Sequence, residues 1–345
     1  MTPRFVKRLG LAAGAAVAAP AIARRLLRDR GVIFMLHRFS NPDLGVAGHD
    51  PADLRRSLEY LRGRGFELVS LDDLLRRLAA DGPRPRGAIA FTVDDGYADQ
   101  ASIGAPIFAE FDCPVTTFLT TGFVDGAMWF WWDRVNYVFT RTRARRVRAH
   151  LGDQVLQYDC GSRDERRRAG DDFVALCKAA PEDAKEQAIR DLAIEADVPL
   201  PTGAPIEYAP MTWDMVRTCE SRGMSFGPHT VTHPILSRTD DERSEYEIVE
   251  SWRRLQEETR TPAPCFCYPN GQPDDYGARE MRTLERIGMM GAVAGWAAYA
   301  HAQGVSRDRL RRFEIPRFSW PGGVSGLAQY ASGLARVKQA ILGRV

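Results

Sequence analysis

The chain has 345 residues, 44% of them hydrophobic, enough to bury the core of one large α/β domain or two smaller ones, which excludes a mainly disordered protein. Its 47 Lys and Arg residues against 45 Asp and Glu give a net charge of +2, too small a field for gripping nucleic acid, so a nucleic-acid factor is disfavoured. The six cysteines are scattered in apolar surroundings, which indicates buried free thiols rather than a disulfide framework.

Residues 1–30 are interpreted as a leader ahead of the folded domain, and two interpretations stay open. Basic residues, a short Ala-rich run and the small-residue triplet ending at Ala23 are typical of a secretory signal, which would export the protein. The arginines after Ala23 fit an amphipathic helix equally well, lying on the domain or making peripheral contact with a membrane, in a protein that stays cytoplasmic or membrane-associated. The apolar run is shorter than the roughly 20 residues of a spanning helix.

From residue 31 onward, short apolar runs alternate with helical segments. Strands are predicted at 31–36, 66–70, 88–92 and 114–120. Asp50 supplies an N-cap and Pro51 a first-turn proline for the helix that follows the first strand, and a second helix is predicted from Leu71. This βα repeat is typical of a parallel sheet.

The repeat is interrupted at about 126–210 and then resumes. The interruption begins with an aromatic cluster and continues in highly charged stretches, so we interpret it as a largely helical insertion. Further strands are predicted at 224–227, 265–268 and 290–295, with a long helix over about 240–260 between the first two. Seven or eight strands with interleaved helices predict an α/β fold, a distorted (β/α)7-type barrel formed by residues 31–345.

Polar side chains follow three of these strands, where function gathers in a parallel barrel. His37 ends the first strand, Asp94 and Asp95 end the "AIAFTV" strand, and His229 and His233 follow "MSFGP". On a helical turn, two histidines four residues apart share one face and can meet one ion. A carboxylate from another strand end would complete a two-His-one-carboxylate set.

Asp94 and Asp95 have a simpler interpretation as a plain turn, because Asp-Gly is a strong turn signal. Two adjacent acids at a buried strand end repel each other, however, unless a cation lies nearby. With a metal present, one acid can ligate it while the other acts as a base, and the residues favour this hypothesis.

Five segments together resemble the polysaccharide deacetylases, a carbohydrate esterase family with a distorted (β/α) barrel. They are "FMLH" (34–37), "FTVDDG" (91–96), "HTVTHP" (229–234), "FCYPNG" (266–271) and "FEIPRF" (313–318). The resemblance covers about residues 31–320 apart from the insertion. It implies a metal-dependent N-deacetylase of N-acetylated glycans.

The resemblance also implies roles for single residues. Asp94 falls on the family's general base and Asp95 on its metal-ligating acid. His229 and His233 fall on the remaining ligands, and the backbone N–H of Asn270 on the oxyanion donor. Zinc is the expected ion, with Co2+ or Ni2+ as alternatives.

Two departures from the family pattern leave roles to assign. The third motif has no base-orienting arginine, and Arg317 is the substitute we consider. The late motif has no histidine to act as general acid, so we consider His37, which ends the first strand. A structural role for His37 stays equally open, as does the route in which Asp94 passes on its own proton.

Substrate contacts are predicted at several aromatic positions and at Arg317. Aromatic faces stack on sugar rings, but the cluster in the insertion could equally be its hydrophobic seat. The predicted substrate-binding residues are Trp129, Trp131, Trp132, Tyr268 and Arg317. The predicted substrate is an N-acetylglucosamine-type sugar in a polysaccharide, oligosaccharide or lipid-linked glycan. The alternatives are another linear or cyclic amide, or a carbohydrate-binding protein that has lost catalysis, and oligomeric state has no signal.

Overall fold

In a computed structural model of the chain, the structure describes residues 20–79, 83–302 and 309–341. The chain divides into two compact units, one made of Met1–Asp125 with Pro210–Val345 and one of Gly126–Ala209. The second unit covers nearly the same residues as the insertion predicted at 126–210. Residues 1–19 of the predicted leader lie outside the described residues.

The helices and strands alternate along the first unit. Its helices are α1 Pro20–Leu26, α2 Pro51–Gly63, α3 Leu71–Leu78, α4 Ala105–Glu110, α5 Thr121–Val124, α9 Trp213–Ser221, α10 Asp241–Glu258, α11 Ala278–Arg286, α12 Gly323–Ala331 and α13 Leu334–Ile341. Its strands are β1 Arg30–Leu36, β2 Ile89–Asp95, β3 Val115–Leu119, β6 Ser225–Pro228, β7 Cys265–Cys267, β8 Gly291–Val293, β9 Ala300–His301 and β10 Phe318–Ser319. The second unit holds α6 Trp131–Arg141, β4 Arg146–Leu151, β5 Gln154–Asp159, α7 Arg163–Ala179 and α8 Glu182–Glu195.

A parallel sheet forms the centre of the first unit, which confirms the predicted α/β class. Its strands run in the order β10-β1-β2-β3-β6, all parallel, with β9 pairing antiparallel to β1. β7 and β8 form a separate parallel pair. The Ala263 amide donates to Phe226 O (2.7 Å) beside β6, and a bridge joins Val293 to Ile315. The strands therefore follow one another as in a distorted barrel whose ladder is interrupted on both sides of the β7-β8 pair.

β2 lies at the centre of this sheet and is buried along its whole length. A strand covered on both faces reads as an apolar run, which is why 88–92 was recognisable in the sequence. α2, the helix that follows β1, begins as predicted: Asp50 Oδ1 accepts from Ala52 N (2.8 Å), with Pro51 in the first turn. The predicted strands and capped helices of the first unit thus appear close to their expected positions.

The prediction of a strand at 66–70 is wrong, since only an isolated bridge between Leu68 and Ile89 forms there. Two backbone hydrogen bonds make this bridge, from Val69 N to Ile89 O and from Ile89 N to Glu67 O, both 2.9 Å. The next residue, Ser70, already caps α3 by accepting from the Asp73 N–H (3.1 Å). The chain turns into the helix before a ladder can extend.

The second unit is largely helical, as predicted, and it also holds a β-hairpin that was not predicted. β4 and β5 form an antiparallel hairpin that pairs Arg146 with Asp159 and Leu151 with Gln154. Gly152 takes a φ of 58° in the connecting turn. The hairpin packs its alternate side chains, such as Val147 and Ala149, into the core formed with the unit's helices.

None of the helices in the described ranges combines the length and the apolar character of a membrane-spanning helix.

Candidate active site and metal centre

The candidate site lies at the carboxyl ends of the central strands, as predicted. Asp94 and Asp95 are the last residues of β2, and His229 follows β6 directly. His37 follows β1, and Asn270 lies three residues after β7. Parallel strands end at the same side of a sheet, so their sequence-distant side chains are brought together.

Asp95, His229 and His233 form a set of three ligand groups. Asp95 Oδ1 lies 3.7 Å from Nε2 of His229 and 3.7 Å from Nε2 of His233. The three ligand atoms lie within 4.8 Å of one another. Ligands on a tetrahedral ion at about 2.1 Å are separated by about 3.4 Å, so a small contraction would seat one ion. Two imidazoles and a carboxylate fit a divalent metal with open positions.

His229 is held in the tautomer that a ligand needs. Its Nδ1 faces the carbonyl oxygen of Cys267 at 2.7 Å, and because a carbonyl only accepts, Nδ1 carries the proton. Nε2 is then unprotonated and faces Asp95. Burial lowers the pKa of His229 to about 4 and that of His233 well below its ordinary value, so both rings are neutral near pH 7.

The segment that carries the two histidines is not the predicted helical turn. It is an irregular loop in which Thr230 and His233 take positive φ values of 66° and 61°. The Thr230 hydroxyl accepts from the His233 N–H (2.9 Å) and helps to hold this conformation. A β-branched residue rarely adopts positive φ, so the backbone is strained where the ligands are placed.

Glu247 on α10 binds the backbone of this loop. Its fully buried carboxylate accepts from the amides of Val231 (2.7 Å) and Thr232 (2.9 Å) and pairs with Arg243 (2.6 Å). Glu247 was not predicted from the sequence, because one more acid in a charged helix carries no signal. We identify it as a positioning residue for the ligand loop.

Asp94 is paired with Arg317, which β10 follows directly. The guanidinium donates from Nη1 to Oδ1 and from Nη2 to Oδ2, both at 2.7 Å, and Arg317 is 1% exposed. Burial alone raises the pKa of Asp94, but the charge and hydrogen bonds of Arg317 outweigh it and hold the pKa well below its ordinary value. Asp94 is therefore ionised near pH 7, and its orientation is fixed.

The position of Arg317 thus contradicts one prediction and supports another. The guanidinium is buried and both of its terminal nitrogens donate to Asp94, so it offers no exposed surface for the predicted substrate contact. It instead occupies the base-orienting position considered for it in the sequence, and it also donates to Thr92 Oγ1 (2.9 Å) and Ala294 O (3.1 Å). Arg317 therefore supplies the cation that was expected beside the adjacent acids Asp94 and Asp95.

A second group of ligand types, Asp94, His229 and Cys267, lies nearby. Arg317 Nη2 lies 3.1 Å from the Cys267 sulfur and also contacts Asp94, so a cation already occupies this group. Burial raises the pKa of the Cys267 thiol well above its ordinary value, which opposes the thiolate that a metal needs. The set containing Asp95 is therefore the better candidate for a metal centre.

Gln100 ties the ends of β1 and β2 together. Its amide donates to the carbonyls of His37 (2.9 Å) and Asp94, and its Oε1 accepts from Gly96 N (3.2 Å). It begins a π-helical turn, Gln100–Gly104, a feature frequent at functional sites. Asp95 and Gly96 have φ values of 90° and 99°, and this contact fixes the unusual backbone. Sequence reasoning missed Gln100 too.

His37 is exposed at the end of β1 and lies near the site. Among the causes that lower the pKa values of His229 and His233, after burial, is the charge of His37, and that charge also lowers the pKa of Asp94. These interactions place His37 at the same end of the strands. Its role as general acid stays a prediction.

Asn270 takes a left-handed backbone conformation with φ 58°. Its N–H donates to no acceptor among the described residues, which is what an oxyanion donor requires. The following Gly271 has a φ of 69°, and a Cβ there would lie 2.5 Å from Gly295 N. This close approach explains the glycine, while the oxyanion role of Asn270 stays a prediction.

The aromatic residues predicted to bind sugar lie in two places. Trp129, Trp131 and Trp132 belong to the second unit, where Trp131 packs on its core and Lys185 lies over the Trp131 ring at 4.7 Å. Their contact with a sugar stays a prediction. Tyr268 is only 1% exposed and stacks on Tyr276 with centroids 3.9 Å apart, so its predicted substrate contact needs correction to a core role.

A buried ionised carboxylate beside three groups that could hold a metal ion, on a parallel α/β fold, defines a candidate metal-dependent hydrolase. The family model described as polysaccharide deacetylase matches residues 188–289, which include His229, His233 and Asn270. The resemblance to this family is confirmed, and the match supports the enzyme class predicted from the sequence, a polysaccharide deacetylase.

Solved structures show the same fold. The Streptococcus pyogenes deacetylase PplD in complex with acetate is 16% identical, with a TM-score of 0.54 over 89% of this chain and 97% of that one. IcaB from Ammonifex degensii is 13% identical, with a TM-score of 0.53 over 88% and 97%. At these identities the likeness concerns the fold alone. No curated protein matches the chain in sequence.

Proposed function

We propose that this protein is a zinc-dependent hydrolase that removes N-acetyl groups from N-acetylglucosamine-type sugars of a polysaccharide, oligosaccharide or lipid-linked glycan. The observation that carries the proposal is the pairing of two adjacent acids with different partners. Asp94 is bound by Arg317, whereas Asp95 faces the two histidines. The family match and the deacetylase fold support the choice of bond.

Amide hydrolysis needs an activated water, a stabilised oxyanion and a proton for the departing amine. Asp95, His229 and His233 would hold the ion, which supplies Lewis acidity at the acetamide carbonyl and lowers the pKa of water. Ionised Asp94 takes the proton of the attacking water. Because Arg317 occupies one direction on each carboxylate oxygen, the remaining lone pairs have a fixed orientation.

The other two needs fall on His37 and Asn270. The Asn270 N–H donates to the oxyanion that forms when water adds to the acetyl carbon. His37 gives its proton to the amine nitrogen as the C–N bond breaks, releasing acetate and the free amino sugar. The exposed position of His37 suits exchange of that proton with solvent.

The proposal is tested by acetate release from N-acetylglucosamine oligomers of increasing length. Wild type is compared with Asp94→Asn and with Asp133→Asn, a substitution of another buried aspartate in the second unit. Release by wild type and Asp133→Asn but not by Asp94→Asn supports the deacetylase. A folded wild type that releases no acetate from any oligomer would contradict it and shift attention to other amides.

A further inference from the structure

Six exposed arginines lie at the amino-terminal ends of β1 and β2, opposite the metal centre. We call them the arginine pole: Arg24, Arg25, Arg28, Arg84, Arg86 and Arg336. They come from three separate segments, namely α1 with the turn after it, the loop before β2, and α13. Over the described ranges, none of the six forms an ion pair, and two neighbouring acids have other partners: Asp29 lies 3.2 Å from His301, and Glu67 pairs with Arg77 (2.8 Å).

Direct contacts hold the three segments together. The Arg86 amide donates to Arg28 O (3.2 Å), and the Arg336 guanidinium donates to Leu26 O. The like charges also interact. The pKa of Arg30, at the start of β1, is lowered mainly by burial and next by the charge of Arg336. The net charge of +2 for the whole chain therefore conceals a strongly positive local surface, which an anionic surface would stabilise.

Aliphatic side chains lie exposed among these arginines. Ile22 on α1 is 42% exposed and Val337 on α13 is 37% exposed, whereas Ala23 on α1 and Leu27 directly after it are buried in the core. In the sequence, no charged residue occurs between 9 and 19, just before α1. Basic residues mixed with aliphatic ones suit a bilayer interface, whereas nucleic acid offers nothing for the aliphatic groups.

We propose that the arginine pole binds the surface of an anionic phospholipid bilayer. β2 has seven residues, so at about 3.3 Å each the metal centre lies about 20 Å from the pole, at the opposite end of the strands. The active site then opens away from the bilayer. Under the proposed function, on which this last step rests, the enzyme acts on glycan that extends beyond the lipid headgroups.

Binding is measured by cosedimentation of the full chain with phosphatidylcholine vesicles, with and without phosphatidylglycerol. We expect wild type to bind only the anionic vesicles, and more weakly as salt rises. Each arginine near an anionic surface contributes about fivefold in partitioning. The double variant Arg24→Glu with Arg28→Glu removes two of these contributions and adds two negative charges, so it is expected to bind at least about 25-fold more weakly.

The matched control is Arg143→Glu with Arg148→Glu, which reverses two exposed arginines of the second unit and gives the same net charge. It should bind vesicles as wild type does, and circular dichroism checks that both variants are folded. Equal binding by the pole variant and wild type, or an equal loss in the control, would overturn the proposal. Binding to a single-stranded oligonucleotide without vesicle binding would also overturn it. The assay needs no turnover, so its failure is distinct from failure of the deacetylase.

Discussion

Replacing Glu247 with Gln should damage both the stability of the protein and its metal affinity. The carboxylate accepts from two backbone amides and pairs with Arg243. Hydrogen bonds to a charged group contribute about 1.5–3 kcal/mol each. Gln keeps one acceptor oxygen for the two amides but loses the charge, so we expect the free energy of unfolding to fall by about 2–4 kcal/mol.

The effect on the metal follows from the strained loop. Glu247 fixes Val231 and Thr232, which lie between the two ligand histidines. Without its charge the loop can relax from the positive φ values at Thr230 and His233. Loss of a group that orients metal ligands lowers affinity by about 10–100-fold. We expect the zinc affinity of Glu247→Gln to fall by that factor, measured in competition with a chromogenic chelator.

Glu280→Gln is the matched control. Glu280 is also buried and accepts from Ser244 Oγ, the Gly277 amide and Arg279 Nε, each at 2.7 Å, but it caps α11 and contacts no ligand residue. Urea unfolding should show a similar loss of stability in both variants, while only Glu247→Gln loses zinc affinity. If Glu247→Gln is destabilised but binds zinc as wild type does, the positioning role is refuted.

Three further predictions concern the base, the acid and the thiols. Arg317→Met leaves Asp94 buried without its counter-charge, which should cost about 3–5 kcal/mol near pH 7. The pKa of Asp94, which Arg317 lowers in wild type, would then rise. The difference in stability between the variant and wild type should therefore shrink at acidic pH, and the acid limb of acetate release should move to higher pH. Unchanged pH profiles would argue against the pairing. His37→Gln should slow acetate release while zinc affinity stays constant, and an unchanged rate would eliminate His37 as the acid. All six thiols are free and buried, so a thiol reagent should label none rapidly before urea unfolds the protein, and fast labelling would contradict the burial.

Much of the site was predictable because its residues adjoin strands with clear apolar patterns. Asp94, Asp95 and His229 follow buried runs directly, and parallel strands bring their ends together. The partners of these residues were less accessible to sequence reasoning. Arg317 was considered only because a family arginine was missing, and its contact with Asp94 spans 223 positions. Glu247 carries no local signal.

The errors of local structure have similar causes. The hairpin of the second unit had a usable signal, since "RVRAHL" and "QVLQYD" alternate around Gly-Asp, but the high charge favoured a helical interpretation. The histidine loop kept its four-residue spacing without a helix, because Glu247 stabilises a backbone that propensity alone disfavours. Tertiary contacts overrode the local pattern in that case.

We expect acetate release to require one divalent ion, held by Asp95, His229 and His233. The most direct measurement is a zinc titration of the chelator-treated protein, following bound metal and acetate release from an N-acetylglucosamine oligomer together. We predict that activity rises in proportion to bound zinc and saturates at one ion per chain, while His233→Ala gains neither. Full acetate release by the metal-free protein would show that the reaction needs no ion, and wild-type metal binding by His233→Ala would show that His233 is not a ligand.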